Sequence, residues 1–542
     1  MNLALIHEAI AAAIPEREAL VFRDRRFSWR QLTDRTRRLA DLLHSHGLGC
    51  RVERSALENW ESGQDHIGLY LHNGNEYLEG MLGAFKARAA PFNVNYRYVD
   101  DELIYLLDNA DARAVIFHAS FAPTLARIRE QLPGVKLWIQ VADDSSEALL
   151  PGALDYEEAL AAAASSPPSP DLSPDDLYIV YTGGTTGMPK GVLWRQEDIF
   201  QSALYPRGVD SLDEIVKRAL KGGPRVLASS PYMHGAAHWV VFNMWHVGGT
   251  VVVQTNVRRL DPTDILSTVE RERISALSIV GDAFGRPLID ELRKGDYDVS
   301  TLRLISSGGA TLTAAIKEEL LELIPGLRIL DALGSSEGGT QGSRYSRDRG
   351  HATTGEFETN PDNVVLKEDF SGIVEPGSEE LGWLARSRHI ALGYYKDSAK
   401  TAETFPIVNG VRYSVPGDRA SISSNGALRL HGRDSAVINS GGEKIFAEEV
   451  EQALKHHPDV YDAVVIPTPN PRWGQQVTAL VRLREGASAS EAELERAVRR
   501  RIAAFKVPKV FIFVDELVRS PSGKADYRWA KGRAYDELGI ER

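Results

Sequence analysis

Leu177-Tyr-Ile-Val-Tyr181 runs straight into Thr182-Gly-Gly-Thr-Thr-Gly-Met-Pro-Lys-Gly191. The first five residues are apolar and β-prone, so they read as a buried strand. The ten that follow are dominated by Gly and Thr and end in Pro, Lys and Gly. Glycines at Gly183, Gly184 and Gly187 let backbone N–H groups approach a phosphate. Thr182, Thr185 and Thr186 add hydroxyl donors, and Lys190 adds positive charge. A Walker A loop is excluded, because Pro189 stands where it needs Gly and Gly191 where it needs Ser or Thr. A strand that ends in a phosphate cradle is an α/β device.

The flanking sequence agrees. Ile67-Gly-Leu-Tyr-Leu71 and Ala114-Val-Ile-Phe117 are strand-like, and Glu76 to Ala89 between them has helical spacing. This alternation predicts α/β layers with mainly parallel sheet. Residues 51–66 are polar and read as an inserted loop; residues 161–176 are rich in Ala, Ser and Pro and read as a connector. Trp239 to Val253 is the longest apolar run, but Asn243, His246 and Gly248-Gly249 break it. It predicts a core helix and then a buried strand, since a bilayer span needs about 18 apolar residues. Beyond Gly432–Ser435 the texture changes. Helix patterns at Glu448–His456 and Ala492–Ala503, with strand patterns at Val460–Ile466, Val477–Leu483 and Val510–Val514, predict a small α+β unit.

Bulk properties narrow the setting. A chain of 542 residues, 43% of them hydrophobic, exceeds one ordinary domain. Cys50 is the single cysteine, so no intrachain disulfide forms, and a reducing, cytoplasmic setting is expected. The first residues carry Glu8, Glu16 and Glu18 with no basic start, and read as an amphipathic helix rather than a signal peptide. The formal charge of −12 disfavours nonspecific nucleic-acid binding but leaves room for a nucleotide held by local donors.

Several short segments follow the glycine-rich stretch: Pro231-Tyr-Met-His234, Ser306-Ser-Gly-Gly-Ala310, Asp331-Ala-Leu-Gly-Ser-Ser-Glu337, Tyr413-Ser-Val-Pro-Gly-Asp418 and Gly432-Arg433. Ser440-Gly-Gly-Glu-Lys444, Arg472-Trp-Gly-Gln475 and Arg519-Ser-Pro-Ser-Gly-Lys524 complete the series. Alone, each has a bland reading: a satisfied core histidine at His234, a tight turn at Gly308-Gly309, a solvated charge at Glu337 or Lys524, ordinary packing at Trp473. Their number and order weigh against the bland readings, except at Trp473, where packing and function stay equally open. Together they resemble the adenylate-forming superfamily of acyl-CoA synthetases, peptide-synthetase adenylation domains and luciferases, over about Ala19 to Trp529. Phe92-Asn-Val-Asn-Tyr-Arg97 and Gly393-Tyr-Tyr-Lys396 look closest to bacterial fatty-acyl and steroid side-chain CoA ligases.

That resemblance implies a large N-terminal domain of layered α/β sheets with a small β-barrel-like part, residues 1–434. It also implies a mobile α+β C-terminal domain, residues 435–542, that carries the adenylation lysine. It implies ATP, Mg²⁺ and coenzyme A as reactants beside a carboxylic acid. The acid is joined to AMP with release of pyrophosphate and is then passed to the CoA thiol. By the same resemblance Thr182, Gly183, Gly184, Thr185, Thr186, Gly187, Lys190, Ser335 and Ser336 hold phosphates. Gly308, Gly309 and Ala310 lie along the adenine and the acyl pocket, and Asp331 belongs to the ATP/AMP site. Glu337 holds Mg²⁺, Asp418 the ribose hydroxyls and Arg433 ribose and phosphate. Thr182, Glu337 and Lys524 act in catalysis. His234, Gly235, Gly308 and Gly309 line the acyl pocket. Ser440, Gly441, Gly442, Glu443 and Trp473 border the CoA route. The sequence departs from the family at Gly184 or its neighbour Gly183, where Ser is usual, at Leu333 for Tyr, at Ser336 for Thr, and at the hinge residue Ser435 for Asp or Lys. Small residues at Gly235, Ala236, Gly308 and Gly309 suggest a roomy acyl pocket and a medium, long or bulky acid. A β-lactone synthetase, a carrier-protein-loading enzyme and a non-catalytic acyl or nucleotide sensor remain open, and a homodimer is the default assembly.

Overall fold

Strand Leu177–Thr182 is buried up to Tyr181, with Thr182 half-buried at its end. It pairs antiparallel with Lys190–Arg195 so that Thr182 stands opposite Lys190. The two ends of the glycine-rich stretch are thereby held side by side. The computed structural model describes residues 1–168, 171–182, 188–204, 209, 211–378, 380–440, 443–520 and 523–540, and of Ser435 the backbone alone. Gly183, Gly184, Thr185, Thr186, Gly187, Gly441 and Gly442 lie outside the described residues.

Two large sheets flank this hairpin. One is five-stranded and parallel, in the order Ala90–Asn93, His66–Tyr70, Ala112–His118, Leu137–Val141, Leu154–Asp155. His66–Tyr70 is buried at every position, as a strand covered on both faces must be. The other is eight-stranded, in the order Gly339–Ser346, Arg328–Ser335, Leu304–Gly308, Ala276–Ile279, Arg225–Ala228, Thr250–Val253, Glu18–Phe22, Arg25–Ser28. It is parallel from Arg328–Ser335 through Glu18–Phe22 and antiparallel at both edges. Helix Gly235–Trp245 and strand Thr250–Val253 replace the long apolar run, as its glycine break predicts. Helix Leu3–Ala13 buries one side in the main core, and Asn2 caps its N-terminus.

A third, five-stranded antiparallel sheet follows: Glu356–Phe357, Leu428–Arg433, Asp418–Ile422, Gly382–Arg386, Asn363–Leu366. It is the part of the fold expected to be barrel-like.

After Arg433 the chain builds a separate sheet on its own apolar cores. Strands Glu443–Phe446, Val437–Ser440, Gly474–Leu483 and Val460–Asn470 lie in that order, with Val510–Phe513 added parallel to Gly474–Leu483. Helices Ala447–Lys455 and Glu491–Arg499 cover one face of it through Val450, Leu454, Leu494 and Val498, and helix Tyr527–Leu538 packs on the other through Ala530 and Ala534. The second of these helices is shorter than the sequence pattern suggests. It starts in a capping box, Ser490 with Glu493, and stops at Arg499. Leu494 and Val498 are its core contacts, and the chain then turns to bury Val507.

Candidate active site

The parallel strands of the eight-stranded sheet point their C-terminal ends at one cleft, the usual ligand position in such sheets. Strand Leu304–Gly308 ends at Gly308-Gly309, and Arg328–Ser335 ends two residues before Glu337. Strand Arg225–Ala228 is followed by His234, the N-cap residue of helix Gly235–Trp245. Topology therefore gathers motifs that are a hundred residues apart in the chain.

Glu337 is buried at 8% exposure, and Tyr394 donates its hydroxyl to Glu337 Oε1 at 2.8 Å. Tyr394 is delivered by strand Gly393–Tyr394, which pairs with Lys190–Arg195. Burial, and then the Glu337 carboxylate, push the Tyr394 phenol far above its ordinary range, so it stays a donor. Across the cleft Asp418 and Arg433 are register partners, and Arg433 Nε donates to Asp418 Oδ1 at 3.2 Å. Asp418 chiefly raises the Arg433 guanidinium, against burial, with Glu337 adding to it.

Lys524 comes to this place from the loop between strand Val510–Phe513 and helix Tyr527–Leu538 of the C-terminal part. Its side chain reaches solvent yet is ringed by protein groups. Burial and then Arg433 pull its ammonium below the ordinary lysine range, while Glu337 and Asp418 pull it back up. His234 feels Lys524 and Arg97 in turn; burial first, then these cations, bring its imidazole down to about 4. It is neutral at ordinary pH, and its Nε2 is buried with no hydrogen-bond partner among the described residues.

Other expected residues are placed differently. The Asp331 carboxylate is committed to Lys317, whose Nζ lies 2.6 Å from Oδ2 and also donates to Thr353 O at 2.7 Å. Lys190 is bound to Asp397 at 2.5 Å, so its charge is already partnered. Ser335 Oγ accepts from Gly338 N at 2.9 Å, and Ser336 O accepts from Trp194 Nε1 at 2.8 Å. Both tie the turn that carries Glu337. Gly235 is not open space: a Cβ there would stand 3.2 Å from Val180 Cγ1 and 3.6 Å from Trp239. Gly309 has more room, with Val280 Cγ1 nearest at 3.8 Å, whereas a Cβ on Gly308 would press Ala332 O at 3.3 Å. Ala310 is half-buried beside them. Ser440 pairs with Glu443 and with Gly474, Glu443 is exposed, and Trp473 is 43% exposed under the Arg472 guanidinium.

Tyr394, Lys317, Asp397 and Trp194 were not singled out as site residues. Gly393-Tyr-Tyr-Lys396 carried a resemblance but no role, and nothing local marks a Tyr, Lys or Asp as the partner of a distant carboxylate or ammonium.

The AMP-binding enzyme signature matches residues 7–395, and the AMP-binding enzyme C-terminal domain signature matches residues 449–524. The chain belongs to the AMP-binding enzyme family. Among its AMP-binding relatives is the medium-chain acyl-CoA ligase Mig of Mycobacterium avium, 50% identical over 98% of this chain and 97% of that one. The medium/long-chain-fatty-acid–CoA/3-oxocholest-4-en-26-oate–CoA ligase of Mycobacterium marinum is 41% identical over 98% and 96%. Among solved AMP-binding structures, the anthranilate CoA ligase AuaEII with anthranoyl-AMP superposes with a TM-score of 0.83 at 23% identity, covering 99% of this chain and 98% of that one. This member of the family is an ATP-dependent acid–thiol ligase that forms acyl-CoA. Among the described residues no helix is long and apolar enough to cross a membrane.

Proposed function

We propose that the acid is a medium-to-long fatty acid or a bulky polycyclic acid, and that the described arrangement is the one that forms the acyl-adenylate. The observation that carries this reading is the seating of the Gly523-Lys524 backbone against Val280 and Ala283 of the N-terminal part, with Arg433, Glu337 and Asp418 within electrostatic reach of the Lys524 ammonium. In-line attack of a carboxylate on the α-phosphate needs several anions gathered and neutralised together. Lys524 and Arg433 supply positive charge for that. Asp418 spends one oxygen on Arg433 and keeps acceptor capacity for the ribose hydroxyls. The glycine-rich stretch from Thr182 to Lys190 cradles the phosphates.

Mg²⁺ fits the donor set. Among the described residues no group of three or more His, Cys, Asp or Glu could hold a metal, but Glu337 offers a single buried carboxylate held by Tyr394. Mg²⁺ is commonly held by one or two carboxylates with substrate phosphates supplying other oxygens. It would neutralise charge on the triphosphate there. His234, neutral, lines the acyl entrance without competing for the carboxylate as a cation. We place the domain boundary at 434/435, and assign the CoA route to Ser440–Glu443 and Trp473, brought to the cleft when the C-terminal domain turns. The CoA thiol then gives up its proton to solvent, its sulfur attacks the acyl carbon, the carbon–oxygen bond to AMP breaks, and AMP leaves.

The reading of the substrate rests on the names of the mycobacterial relatives and on the room at Gly309. Each buried CH₂ contributes about 0.8 kcal/mol, so a long pocket rewards each added methylene until it is full. The test is ATP–pyrophosphate exchange and CoA-thioester formation across acids from acetate to long fatty and steroid side-chain acids. The highest kcat/KM is expected at medium length or beyond; a maximum at acetate or propionate overturns the reading.

A further inference from the structure

Lys524 sits on a tight turn that is braced from behind. Ser520 N donates to Lys524 O, and Gly523 N to Ser520 O, each at 2.8 Å. Arg519 closes the turn, donating from Nη1 to Gly523 O at 3.1 Å. Its other nitrogens grip Asp462, Nε to Oδ2 and Nη2 to Oδ1, both at 2.7 Å. Asp462 in turn faces Lys455 Nζ at 3.3 Å. Lys455 ends helix Ala447–Lys455 and reaches Asp282 Oδ2 at 3.6 Å. Asp282 belongs to the large N-terminal part, in the first turn of helix Gly281–Lys294. Its Oδ1 is anchored there by Thr313, which donates from N at 2.8 Å and from Oγ1 at 3.1 Å.

A continuous run of alternating charges therefore leads from the N-terminal helix to the backbone that carries Lys524. The four side chains are 12% (Lys455), 14% (Asp282), 15% (Asp462) and 16% (Arg519) exposed, so water screens them little. Burial alone would raise the Asp462 carboxyl; Lys455 and Arg519 overcome it and hold it at about 2. The turn also touches the same helix start directly. Gly523 has φ +73°, and a Cβ on it would stand 3.0 Å from Val280 O and 3.3 Å from Ala283 Cβ. The Lys455–Asp282 contact crosses between the two parts, and it is the longest in the run. A contact that is made and broken in each catalytic cycle is best kept looser than the permanent Arg519–Asp462 pair.

We propose that Asp282, Lys455, Asp462 and Arg519 form an ionic latch that positions Lys524 for acyl-adenylate formation and opens before the thioester step. The proposal rests on the reading above that the C-terminal domain turns between the two half-reactions. The four are positioning residues: none is placed against substrate. Lys524 is useful only where its ammonium meets the α-phosphate, and small misplacements of such a group are costly.

The test uses the full-length protein with decanoate, decanoyl-AMP and CoA in single-turnover assays. Lys455→Met and Asp282→Asn break the crossing contact from opposite sides, so misfolding of one leaves the other informative. Each is expected to slow decanoyl-AMP formation by about 10- to 100-fold. The conversion of supplied decanoyl-AMP and CoA into thioester should keep its wild-type rate or exceed it. Lys455→Arg keeps the charge and should restore most of the lost adenylation. Equal loss in both half-reactions, no loss in adenylation, or a Lys455→Arg variant as slow as Lys455→Met overturns the latch. Wild-type adenylate formation reports on the proposed function, and the ratio of variant to wild-type rates reports on the latch, so each fails separately.

Discussion

Arg433 stands directly opposite Asp418 across two antiparallel strands and donates from Nε to Asp418 Oδ1 at 3.2 Å. Arg433 is the last residue of its strand and is followed by the segment that leads into the C-terminal sheet. The pair thus joins the carboxylate proposed to hold the ribose to the proposed domain boundary.

Asp418→Ala removes both the ribose acceptor and the partner of Arg433. A hydrogen bond to a charged group contributes roughly 1.5–3 kcal/mol, so the KM for ATP should rise by about 10- to 100-fold. The KM for the acid should change little. Steady-state kinetics with ATP and acid varied separately check this, and unchanged ATP dependence in a folded variant shows that the ribose is held elsewhere.

Tyr394→Phe deletes the hydroxyl that holds Glu337 Oε1. Partners that orient a metal-binding carboxylate typically matter by 10-fold or more, so half-maximal adenylation should need about tenfold more Mg²⁺. A Mg²⁺ titration of ATP–pyrophosphate exchange is the measurement. An unshifted titration separates Tyr394 from the metal site.

Lys524→Ala should abolish acyl-AMP formation yet still convert supplied acyl-AMP and CoA into thioester, because the lysine is assigned to the α-phosphate alone. Gly442→Leu is expected to do the reverse, by blocking the route of pantetheine. Single-turnover assays of each half-reaction separate the defects. Equal impairment of both steps by Lys524→Ala would remove the lysine from a single-conformation role.

Glu448→Gln tests a buried carboxyl beside the hinge. Burial, then Glu451 and Asp418, push Glu448 up to about 8, and its Oε2 has no hydrogen-bond partner among the described residues. Gly432, at φ +126°, leaves it room: a Cβ there would meet Glu448 Oε2 at 2.4 Å. The folded chain thus keeps a proton that the unfolded chain releases near the ordinary glutamate pKa of about 4.3. Between those values the native state binds more protons, so this contribution is complete at low pH and is lost as pH rises through about 8. Glu448→Gln removes that dependence. The Tm advantage of the variant over the wild type should grow from pH 5 to about pH 9; a constant difference contradicts the shift.

By itself the sequence determined the fold class and the series of motifs. Leu177–Tyr181 is legible as a buried strand because its apolar residues are contiguous, and the helix–strand split of Trp239–Val253 because glycine breaks it. Lys524 stands out as the candidate adenylation lysine because Pro521-Ser-Gly523 precedes it. Local pattern carries such information, since each signal lies within a few residues of its consequence. Only the tertiary structure decided which charges are spent. Asp331 is neutralised by Lys317 and Lys190 by Asp397, pairs separated in the chain by 14 and 207 positions. It also decided that Gly235 is packed against Val180 and Trp239, and that Asp282 and Lys455, on different parts of the chain, meet beside the Lys524 turn. Partnership of this kind is fixed by sheet order and domain placement, which bring distant segments into hydrogen-bonding range. No spacing rule within one segment encodes it.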